Sequence, residues 1–98
     1  MTIEKKINNG AAVIIISGRL DTLTAPELEA EIDAIISGIK DLTFDMTNLE
    51  HVSSAGLRVI LKSQKIMNTQ GSMRLIGVND CVMEVFDITG FADILTIE

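Results

Sequence analysis

The chain has 98 residues, 47% of them hydrophobic, which suffices for one compact domain with a single core and not for two. Only 3% is aromatic and Trp and Tyr are absent, so the core has to be built from Ile, Leu, Val, Met and Ala. A formal charge of -6 argues against nucleic acid and anionic membrane as partners, because phosphate-rich surfaces reward clustered Lys and Arg.

Cys81 is the single cysteine, so no internal disulfide is possible and no oxidising compartment is implied; a small buried hydrophobe is the expected role. No long apolar stretch follows the pair Lys5–Lys6, so no signal peptide is expected. The longest apolar run, Ala11–Ile16, is far too short to span a membrane. These features predict a soluble cytoplasmic domain without membrane insertion.

The first predicted elements are two strands. Thr2–Ile7 leads through "NNG" (Asn8–Gly10) into "AAVIIIS" (Ala11–Ser17), and the turn residues predict an antiparallel hairpin. The second strand is short, β-branched and continuous, which suits burial on both faces. "TAPE" (Thr24–Glu27) then opens a helix: Thr24 can cap it, Pro26 suits the first turn, and Glu27 completes a capping box. Leu28, Ile32, Ile35, Ile36 and Ile39 supply its apolar stripe. "DLTFDM" (Asp41–Met46) follows as a third strand, parallel by its crossover.

Next comes "HVSSAGLRVIL" (His51–Leu61), where Ser53 or Ser54 begins a helix with the stripe Leu57, Ile60, Leu61 and Met67, closed by Gly71 in a left-handed conformation. Val59 and Ile66 lie off that stripe and either widen the core face or form an exposed contact patch. "SMRLIGV" (Ser72–Val78) reads as a strand and "NDCVMEVFDITG" (Asn79–Gly90) as a short helix capped by Asn79 or Asp80. "ILTI" (Ile94–Ile97) reads as a last strand. Met46, Met67, Met73 and Met83 fall mostly at core-facing positions. The order ββαβαβαβ predicts a single α/β domain over residues 1–98, with a mixed, mostly parallel sheet covered by helices.

Candidate sites are few. Ser54 is either a helix cap or a phosphate carrier, since the free N–H groups and positive dipole end of a helix stabilise an anion there by about 0.3–1 kcal/mol. Ala55 and Gly56 leave room around its hydroxyl. Asp21 reads first as a turn or capping residue, and Asp45 ends the third strand, where parallel sheets place ligand-facing groups. His51, in a polar turn, is a possible phosphoryl carrier or simply solvated. No metal-ligand spacing, phosphate-binding loop or nucleophile–His–Asp constellation is present, so no cofactor, no metal and no catalytic residue is expected.

Three segments resemble the STAS domains of the anti-sigma factor antagonist family. "GRLDTLTAPEL" (Gly18–Leu28) is similar to the family's G-x-L-D-x-x-T-A-x-x-L. "FDMTNLEHVSSAGLRVIL" (Phe44–Leu61) resembles its strand-plus-phosphosite segment, with S-S-A-G-L at the turn. "VFDITGF" (Val85–Phe91) resembles its F-D-[ILM]-[ST]-G-[LF]. The resemblance implies a non-enzymatic switch: the unphosphorylated protein binds an anti-sigma factor that is also a serine kinase and so frees a sigma factor. The kinase phosphorylates the antagonist, and a serine phosphatase resets it. Aligned on Gly56, the acceptor is Ser54, with Asp21, Thr22, Ser53, Gly56, Leu57 and Arg58 on the partner surface. Sporulation-type members have Asp where this chain has Ser53. The other readings are a STAS subunit of a lipid-transport or stressosome-type assembly with Ser54 only a cap, and a His51 phosphocarrier.

Overall fold

A computed structural model describes residues 1–98. Strand β1 (Thr2–Asn8) turns through Asn9 and Gly10 into β2 (Ala11–Leu20), and the two pair antiparallel from Thr2↔Ser17 to Asn8↔Ala11. Both turn residues have positive φ, 50° at Asn9 and 84° at Gly10, the type I′ geometry whose twist matches that of the flanking strands. Helix α1 (Ala25–Ile35) leads to β3 (Asp41–Val52), helix α2 (Ser54–Gln70) to β4 (Ser72–Ile76), and helix α3 (Asp80–Thr89) to a 3-10 turn at Phe91–Asp93.

The sheet order is β1-β2-β3-β4, with β2–β3 and β3–β4 parallel. The crossovers through α1 and α2 move in the same direction across the sheet. Their right-handed sense therefore puts both helices on one face. Burial follows: Ala12, Ile14, Ile16, Leu42, Phe44, Met46, Met73 and Leu75 face the helices and form one cluster with Leu28, Ile32, Ile60, Met67 and Phe86. Val13, Ile15 and Ser17 point the other way and are only half-buried, so the expectation that β2 is buried on both faces is corrected. Three long-range side-chain hydrogen bonds tie the helices down. Gln70 Nε2 donates to the Ile36 and Ile39 carbonyls, each at 2.8 Å. Asn79 Nδ2 donates to the Leu49 carbonyl at 2.7 Å while its Oδ1 accepts the Val82 N–H at 2.8 Å, capping α3.

Several local expectations change. β3 runs six residues past Met46, through two register shifts against β2, where it carries extra residues. Asp45 therefore lies within the strand, and its Oδ1 accepts the Thr47 hydroxyl at 2.6 Å and the Thr47 N–H at 3.0 Å, stabilising the first bulge. His51 is in β3 opposite Arg19, half-buried, and not in a polar turn. Gly71 closes α2 with φ 177°, an extended value instead of a left-handed one. Cys81 is exposed, not buried. The last strand shrinks to one bridge, Leu75↔Ile97, after the 3-10 turn uses up the connection. Val59, 6% exposed, and Ile66 both pack on the core, whereas Leu61 does not join it: the apolar face of α2 is centred one row away from the predicted stripe and includes buried Ser63 and Gln64.

Candidate functional site

β2 and β3 run parallel and end side by side, so the loop after Leu20 and the turn after Val52 meet at one end of the sheet. The Ser53 N–H donates to the Leu20 carbonyl at 2.9 Å and locks the two together. Gly56 completes the contact. A Cβ built there would lie 2.5 Å from Leu20 Cγ and 3.1 Å from the Leu20 carbonyl oxygen, so only glycine lets the first turn of α2 lie against β2. The bareness of this turn thus serves the core side, and the room around Ser54 has another origin.

That origin is a division of labour between two serines. Ser53 has extended backbone (φ -100°, ψ 175°) and is the N-cap: its hydroxyl oxygen accepts the Gly56 N–H at a long 3.5 Å, and its carbonyl accepts the first helical bond from Leu57 at 2.9 Å. Ser54 is the first helical residue, exposed, and its hydroxyl makes no hydrogen bond within the protein. The reading of Ser54 as a helix cap is therefore corrected. Leu57 is 4% exposed and Gly56 is buried. Both were expected on the partner surface, but they anchor the turn from beneath. Arg58, one turn on from Ser54, is exposed.

Across from this turn, Asp21 organises the other loop. Its Oδ1 accepts the Leu23 N–H at 3.0 Å and the Thr24 N–H at 3.2 Å. The Thr24 hydroxyl donates to the Arg19 carbonyl at 2.8 Å and accepts the Asp21 N–H at 2.9 Å. Thr24 occupies the N-cap position of α1 but makes no side-chain cap, so the predicted capping box does not form: the hydroxyl is committed to the loop instead. The Thr24 N–H, against a desolvation cost and helped by the Leu23 N–H, holds the Asp21 carboxyl below the usual aspartate range, so it is ionised at neutral pH. Thr22 is exposed beside it.

Thr22 and the N-terminal turns of α1 and α2 enclose a shallow cleft of about 200 Å³, lined also by Ala25, Pro26, Glu29, Ala55, Arg58 and Val59. The ion pairs of the molecule join Lys5 to Glu31, Lys62 to Glu29 and Asp33, and Arg74 to Asp41, which leaves the Arg58 guanidinium at the cleft unpaired. Leu23, at a variable position of the Gly18–Leu28 motif, is 89% exposed on the Asp21 loop. Its sequence signature is an apolar residue inside a turn, off the period of every helix and strand. The loop thus presents an apolar side chain beside a cleft with a free cation and an unengaged hydroxyl, the mix of groups that protein partners recognise.

Fold and site together define a small single-sheet α/β regulatory domain of the STAS type. The STAS domain family model matches residues 2–98, and the chain belongs to that family and to its anti-sigma factor antagonists. It is 33% identical to BtrV of Bordetella bronchiseptica over 91 residues, covering 91% of this chain and 78% of BtrV. With the anti-sigma-B factor antagonist of Listeria monocytogenes it shares 32% identity over 88 residues, 87% of this chain and 76% of that protein. Its fold is that of the anti-sigma factor antagonist SpoIIAA in its unphosphorylated form, with a TM-score of 0.85 at 18% identity, covering 99% of this chain and 88% of SpoIIAA. No helix of the chain is long and apolar enough to cross a membrane.

Proposed function

We propose that this protein is an anti-sigma factor antagonist switched by phosphorylation of Ser54. The observation that carries the reading is the exposed Ser54 hydroxyl, free of any structural duty because Ser53 caps the helix. The unphosphorylated protein docks an anti-sigma factor with serine kinase activity through Asp21, Thr22, Leu23 and Arg58, with Ser53, Gly56 and Leu57 holding the Ser54 turn in place. Engagement of the anti-sigma factor releases a sigma factor. The unpaired Arg58 reaches an acidic group of the partner, because an exposed pair within the protein is worth only about 0–1 kcal/mol. The exposed thiol of Cys81 suits a reducing cytoplasm.

The chemistry of the switch is a phosphoryl transfer supplied by the partner. Ser54 Oγ attacks the γ-phosphorus of ATP, the new Oγ–P bond forms as the bond to the ADP oxygen breaks, and the hydroxyl proton leaves to a base of the kinase. The product carries about -1.5 to -2 charge at neutral pH. It stands at the start of α2, where the helix dipole tolerates it, but on a face shared with the ionised Asp21 in a chain of net charge -6. Docking to a surface that fits the neutral hydroxyl is then opposed by bulk and charge. A serine phosphatase restores the docking form by hydrolysis.

Incubation with an anti-sigma factor kinase and Mg-ATP, followed by peptide mapping, tests the assignment. Label on Ser54 that is abolished by Ser54→Ala and retained in Ser53→Ala is expected. Label that stays in Ser54→Ala and vanishes in Ser53→Ala, or acid-labile label on His51, overturns it.

A further inference from the structure

We propose that the free edge of β1 is a self-association surface, on which two copies of this chain pair antiparallel, β1 against β1 and centred on Lys5, joining two four-stranded sheets into one. β1 is the terminal strand of the sheet order, bonded to β2 on one side only, and it runs for seven residues without proline or a bulge. Its outer row of N–H and C=O groups is a template for another strand.

The hairpin decides which groups those are. Asn8↔Ala11 closes a two-residue turn, so it is the hydrogen-bonded type of pair. Alternation makes Thr2, Glu4, Lys6 and Asn8 the residues bonded to β2, and turns the backbone groups of Ile3, Lys5 and Ile7 outward. Only registers that set these outward residues against one another satisfy the backbone.

The side chains of "TIEKKIN" choose among those registers. Centred on Lys5, Glu4 meets Lys6 of the second copy and Lys6 meets its Glu4, while Ile3 and Ile7 face each other. Slipping two residues one way sets Glu4 against Glu4, and two residues the other way sets Lys6 against Lys6, which is destabilising on a strand pair. A twofold contact must be self-complementary in this manner. Ile7, 53% exposed on the helix side of the edge, gains cover from Ile3 of the second copy. The one like-charged pair, Lys5 opposite Lys5, is offset because each Lys5 is already ion-paired to Glu31 of α1. Seven residues per strand fall short of a permanent interface, so the dimer is weak and concentration-dependent. Ser54 lies beyond the end of β3, two strands in from this edge.

Sedimentation equilibrium of the full chain from about 10 μM to about 1 mM tests the proposal. A reversible monomer–dimer equilibrium is expected, weakened about tenfold by Lys6→Glu and restored by the double swap Glu4→Lys with Lys6→Glu. Hydrogen exchange read residue by residue checks the register on the unmodified protein. The Ile3, Lys5 and Ile7 amides should slow as concentration rises, while Glu4 and Lys6 are protected throughout. A monomer across the whole range, a dimer indifferent to Lys6→Glu, or slowing of the odd amides only when a different protein is added overturns it.

Discussion

Gly56→Ala probes how the site is held together. The new methyl carbon would lie 2.5 Å from Leu20 Cγ and 2.9 Å from Leu20 Cδ2, where ordinary carbon contacts are about 3.5–4.0 Å. Leu20 is fully buried and its backbone carbonyl holds the Ser53 N–H, so neither partner can simply swing away. The start of α2 must lift off β2 by about 1 Å, and overpacking of this kind costs about 1–3 kcal/mol. For a domain of this size each kcal/mol lowers the melting temperature by about 4–8 °C, so calorimetry should record a fall of about 4–24 °C. Leu20→Ala alone leaves a cavity and costs about 2–5 kcal/mol. In the double variant the added methyl partly fills that cavity, so the two losses should sum to more than the measured one, with a favourable coupling of about 1 kcal/mol or more. An unchanged melting temperature for Gly56→Ala, or strict additivity with Leu20→Ala, would refute the close-contact account of this turn.

Leu23→Asp should leave the melting temperature nearly unchanged, since exposed substitutions usually stay within about 0.5 kcal/mol, yet weaken the complex with the anti-sigma factor by about tenfold or more. Equal affinity in titration calorimetry would remove Leu23 from the docking surface. Ser53→Ala should cost about 0.5–1 kcal/mol through the lost cap, whereas Ser54→Ala should be close to neutral in chemical denaturation; the reverse order would mean that Ser54 is the cap after all. Asp21 should titrate, by carboxyl carbon chemical shift, below its ordinary value of about 3.9. Because its folded-state pKa is lowered, its contribution to loop stability is complete above that value and is lost as pH falls through the folded-state pKa. A midpoint at or above the ordinary value contradicts the hydrogen-bonded loop.

Much of this arrangement is legible in local sequence because local physics decides it. Asn9–Gly10 between two β-rich runs sets the hairpin, Pro26 sets the start of α1, and Asn79 and Gly90 bound α3. What escapes are choices made by residues far apart in the chain. Either serine before Gly56 could cap α2, and the extended backbone that selects Ser53 comes from its bond to Leu20, over thirty positions away. The need for glycine at position 56 has the same distant cause. Thr24 and Glu27 satisfy the pattern of a capping box, but Asp21 and the Arg19 carbonyl claim the hydroxyl first. Burial of β2 on one face alone follows from crossovers that all run the same way, which no single strand can reveal. At the site, Asp21, Thr22, Ser54 and Arg58 were readable as residues from the family motif. That Gly56 and Leu57 support the turn from below, and that Leu23 is presented on the rigid loop, are matters of packing.

The switch itself is tested most directly by the affinity of one preparation for its anti-sigma factor before and after stoichiometric phosphorylation of Ser54, measured by titration calorimetry beside the melting temperature of each form. The account predicts a loss of about tenfold or more in affinity, with a melting temperature that stays within a few degrees, because the helix N-terminus accommodates the phosphate while the docking face does not. Equal affinity of the two forms, or a loss fully matched by unfolding of the phosphorylated protein, would contradict it.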